Sequence, residues 1–134
     1  MEAIKPTDLR LKNWISYRGK NYQIAGLSKD YPFLDTIEFG VGVIEYPDIE
    51  PIPLTEEILV KAGFMFDRLD KCFKLSPCFE VQIIADVYEN NASLMFYTRT
   101  VHTDYKPIYK VIDTVHQFQN LYYSLTNEEL NIQL

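Results

Sequence analysis

The sequence predicts an α+β domain: curled antiparallel sheets with a barrel-like N-terminal hairpin region, one short helix, and one long C-terminal helix packed on a sheet. Three observations predict it. Strand-like runs follow one another without alternating with helices, which favours α+β over α/β. A two-turn helix is marked at both ends near residues 56–62. A long amphipathic helix is marked near residues 113–125. The chain of 134 residues is one domain in length and long enough to bury a core. Within it two lobes are expected, residues 1–50 rich in strand and residues 51–134 of mixed α and β.

Residues 9–27 read as a hairpin. Trp14–Tyr17 and Tyr22–Leu27 are strand formers around the turn Arg18-Gly19-Lys20-Asn21, where Gly supplies the left-handed dihedral. Gly26 suggests a bulge. Ser28–Thr36 reads as a loop and Ile37–Tyr46 as a third strand. Pro47, Pro51 and Pro53 form a stiff extended connector. The first helix follows, Glu56–Ala62, with Thr55 as N-cap, two glutamates in the first turn and Gly63 after its end. Residues 67–71 read as a charged turn. Cys72–Leu75 and Phe79–Tyr88 read as strands, Glu89-Asn90-Asn91-Ala92 as a turn, and Leu94–Val101 as the strand that pairs back. Residues 102–107 read as a loop and Ile108–Ile112 as a strand.

The helix Asp113–Leu125 is the clearest element. Val115, Phe118, Leu121, Tyr122 and Leu125 form one apolar stripe at helical spacing, expected to lie across the second sheet. Thr114 and Gln117 have the spacing of a capping box. Asn127 is a plausible stop, because Asn tolerates left-handed backbone. Leu130, Ile132 and Leu134 then alternate with polar residues as a last short strand.

Composition narrows the function. Apolar residues make 47% and charged residues 24% of the chain, which argues against disorder. The net charge of −6, from 13 basic and 19 acidic side chains, disfavours an extended nucleic-acid surface. No apolar run approaches a membrane span and the N-terminus lacks a secretory core, so a cytoplasmic protein is expected. Cys72 and Cys78 match no zinc spacing. On one strand they would stand about 20 Å apart, too far for a disulfide. No phosphate loop, nucleophile elbow or paired histidine metal motif is present. The sequence therefore predicts no enzyme, no cofactor and no metal. A weak acid–base reading of Asp113 with His116 yields to capping as the explanation of Asp113.

Aromatic residues make 14% of the chain, with ten Tyr and eight Phe, and Tyr is a frequent residue of contact surfaces. On the far side of the C-terminal helix, His116, Gln119, Asn120 and Tyr123 fall in one arc. Between Thr114 and Asn127 no residue is charged. A solvated helix face usually carries Lys and Glu. A hydrogen-bonding face without ions suggests a protein partner, self-association or a ligand, or else burial in the chain itself. The strand row Met95, Tyr97 and Arg99 is a second candidate face.

Three blocks resemble a family of small uncharacterised proteins of Bacteroidetes genomes, prophages and phages. Asp8-Leu9-Arg10-Leu11-Lys12-Asn13-Trp14-Ile15 resembles its opening, LRIGNWV. Ile52-Pro53-Leu54-Thr55, with Leu59 and Gly63-Phe64, is similar to its element IPLTEEWLLKFGF. Val115-His116-Gln117-Phe118-Gln119-Asn120-Leu121-Tyr122, with Leu125-Thr126 and Glu128-Glu129-Leu130, is similar to its ending VHQLQNLYFALTGEEL. The chain has Lys12 and Asn127 where that family has glycine, two structurally mild departures. The resemblance implies a phage or mobile-element context in a bacterial cytoplasm and no transferable chemistry. The expected function is a non-enzymatic protein acting through protein–protein contacts. The alternative is a binder of a small nucleotide-type signal that serves phage counter-defence.

Overall fold

The structure is a computed structural model that describes residues 4–34, 44–78, 81–99 and 105–134. The chain is α+β, with two antiparallel sheets, one of them strongly curled into a half-barrel. It divides into two compact units. The first comprises 1–52, 114–120 and 134; the second comprises Pro53–Asp113 and Leu121–Gln133. The C-terminal helix is shared between the units.

In the first unit, β1 (Trp14–Tyr17) and β2 (Lys20–Leu27) form the expected hairpin. The turn is tighter than its sequence suggests. Tyr17 pairs with Lys20, so the loop is only Arg18-Gly19. Both residues have positive φ, 49° and 76°, the combination that matches the twist of a hairpin. β3 (Pro32–Leu34) pairs with β2 across a register shift at Gly26, the bulge its glycine suggests. A Cβ on Gly26 would lie 3.1 Å from Cδ2 of Phe33, so the glycine lets the ring close over the backbone. On the other side of β1 lies β4, only Ile49–Glu50, inside the segment that reads as a mere connector. The strand expected over Ile37–Tyr46 falls largely on residues 35–43, outside the described residues. Its last residue, Tyr46, instead opens a 3₁₀ turn (Tyr46–Asp48) and its hydroxyl donates to Ser28 O at 2.6 Å. Ile4, Leu9, Ile15, Ile24, Tyr46 and Ile49 make the core of this unit.

The second unit holds α1 (Glu56–Lys61) and a five-stranded meander, β5 (Met65–Asp67), β6 (Cys72–Cys78), β7 (Val81–Tyr88), β8 (Asn91–Arg99) and β9 (Tyr105–Ile112). Thr55 Oγ1 accepts from the Ile58 N–H at 3.3 Å, the expected N-cap. At the far end Phe64 N donates to Leu59 O and Gly63 N to Val60 O, with Gly63 at φ 99°. This pair of bonds defines a Schellman end, and buried Leu59 and Phe64 are placed for its apolar contact. Phe73, Ala85, Leu94 and Ile112 stand in register across β6 to β9 and all are buried. Between β7 and β8, Glu89 and Asn90 have φ of 47° and 69°, again a two-residue loop. Leu130 and Ile132 are buried, but residues 129–134 form no strand. Their alternation reflects packing without a ladder.

α2 (Val115–Thr126) begins and ends where the sequence indicates. Its first residues, through Asn120, belong to the first unit and those from Leu121 on to the second. The capping box is not made. Thr114 Oγ1 is buried with no hydrogen-bond partner, and the Val115 N–H donates to Ile52 O at 2.8 Å. At the other end, the Asn127 N–H donates to Tyr123 O with Asn127 at φ 57°. Lys12 has φ 72°. Lys12 and Asn127 are thus both left-handed.

Candidate functional site

The expected contact face on α2 is sealed within the first unit along its first half. Gln119 is 1% exposed and His116 is 4% exposed. The Trp14 N–H donates to Gln119 Oε1 at 2.8 Å, and Gln119 Nε2 donates to Lys12 O at 3.1 Å. One side-chain amide therefore meets a donor and an acceptor two residues apart on the edge leading into β1, as a neighbouring strand would. It does so because β4 pairs only with Ser16 and Tyr17 and leaves the start of β1 uncovered.

Asn120 completes the junction. Its Oδ1 accepts from Arg10 Nε at 3.0 Å and from Asn13 Nδ2 at 2.9 Å, and its Nδ2 donates to Asp8 O at 2.8 Å. Asn13, fully buried, accepts from the Arg10 N–H at 2.7 Å. The absence of ions on this face has a physical cause. An amide offers both a donor and an acceptor without charge, whereas a buried ion must be paired or pushed to neutrality. Of this face, expected either to meet another molecule or to be buried in the chain itself, His116 and Gln119 are buried and Asn120 is half-buried. Tyr123, in the second unit, is exposed at 37%. Tyr97 and Arg99 occupy β8 opposite Gln82 and Tyr105 respectively, while their side chains lie outside the described part of the structure.

The second unit offers a different surface. β5 is the terminal strand of its sheet. Met65 is 76% exposed, Phe66 54% and Leu69 93%. Phe66 leans edge-on against Phe73 at 5.2 Å between ring centroids, leaving its outer half bare. Asp67 Oδ1 accepts from the N–H groups of Leu69 and Asp70, which fixes the turn that presents Leu69. Lys74 pairs with Asp67 at 3.0 Å and with Asp70. Hydrogen bonding to Lys74, then to the turn amides, holds the Asp67 carboxyl below its ordinary pKa. The same carboxylates hold Lys74 above its own. Burial pushes the Cys72 thiol up, so it behaves as an inert core thiol. Composition reads residues 67–71 as a polar turn. The overlooked signal is Leu69, one large apolar residue amid four charged neighbours.

Compared with family models, curated proteins and solved structures, the chain matches none. Among the described residues no group of three His, Cys, Asp or Glu side chains is arranged to hold a metal ion. No described helix is long and apolar enough to cross a membrane.

Proposed function

We propose that the chain is a non-enzymatic binding protein that acts by contact with another protein. The observation that carries this reading is the bare apolar hairpin edge of Met65, Phe66 and Leu69. Exposed edge strands are normally blunted by charge or covered. Large apolar side chains left exposed at such an edge are candidates for contact with another protein. The family resemblance supports a phage or mobile-element origin and a partner in the bacterial cytoplasm. The alternative is a nucleotide-type ligand held by Tyr rings, Arg99 or His116, of which His116 is buried.

Affinity capture tests the reading. Wild-type chain and Leu69→Lys chain are used as bait, both against bacterial lysate and against a co-expressed copy bearing a different tag. The expected result is at least one protein, of either origin, retained by the wild type and depleted about tenfold by the substitution. Equal recovery from both baits refutes the reading.

A further inference from the structure

We draw no further inference here: the strongest candidate, the exposed apolar edge of the second sheet at Met65, Phe66 and Leu69, belongs to the contact reading already proposed, and nothing in the structure shows what covers it.

Discussion

Removing the Gln119 amide tests how the first unit is closed. In Gln119→Leu the side-chain volume is nearly kept, so the change is chiefly in hydrogen bonding. Two partners lose the amide, but unequally. Lys12 O keeps the donor of Gln23 Nε2 at 3.1 Å and lies partly open. The Trp14 N–H, whose 2.8 Å bond to Gln119 is buried, is left without an acceptor. One orphaned buried donor costs about 1–3 kcal/mol, and we expect about 2 kcal/mol for this substitution. Gln119→Ala adds a cavity at a fully buried site and brings the loss to about 3–4 kcal/mol. At about 4 °C per kcal/mol for a chain of this size, the leucine variant melts about 8 °C lower. Trp14 is the only tryptophan and sits at the perturbed bond, so its fluorescence in a urea titration follows this unit directly. The midpoint is expected to fall while the slope stays constant. A leucine variant within about 0.5 kcal/mol of the wild type refutes the strand-mimicking role of the amide. Gln119→Glu adds a pH signature. Only the protonated acid can donate to Lys12 O, so its folded pKa is raised. The stability that proton supplies is present below about pH 4.3 and lost as pH rises through the folded value.

Other outcomes follow from local geometry. Lys12→Gly relieves a left-handed backbone worth roughly 1–2 kcal/mol, offset by the chain entropy of glycine, for a net gain of about 0.5–1 kcal/mol in thermal melts; no gain would mean that Lys12 is unstrained. Thr114→Val is expected to be neutral or slightly stabilising, because the hydroxyl it removes is buried and unpartnered. A loss of about 1 kcal/mol in that variant would instead mark Thr114 as a working N-cap. The pKa of Asp67 is depressed chiefly by Lys74. Its contribution is therefore present above the usual carboxylate pKa and lost as pH falls through the folded value. Melts at pH 7 and pH 3 are expected to show a smaller acid-induced drop for Lys74→Met than for the wild type, and equal drops would exclude the pair as a source of acid sensitivity.

The sequence by itself determined what is written within a few residues. Thr55 and Gly63 bracket α1 because a cap needs only its own turn. Gly19 and Asn90 mark their hairpins because left-handed backbone favours glycine and amide residues locally, while the left-handed Arg18 and Glu89 that make each loop only two residues long are not legible in sequence. The stripe of α2 is legible because 3.6-residue periodicity is visible in a dozen positions. The α+β class follows from the order of such elements.

Only the tertiary structure decided the rest. β4 and β5 have two and three residues, too few to show any period, and they exist because a longer strand lies beside them. The uncharged face of α2 has one appearance in sequence whether it awaits a partner or fills a gap. Its meaning was set by Lys12 and Trp14, over a hundred positions away from Gln119. Hydrogen bonds fall off within a few ångströms whatever the separation along the chain. Which groups come that close is a property of the folded backbone, and no single stretch of sequence carries it.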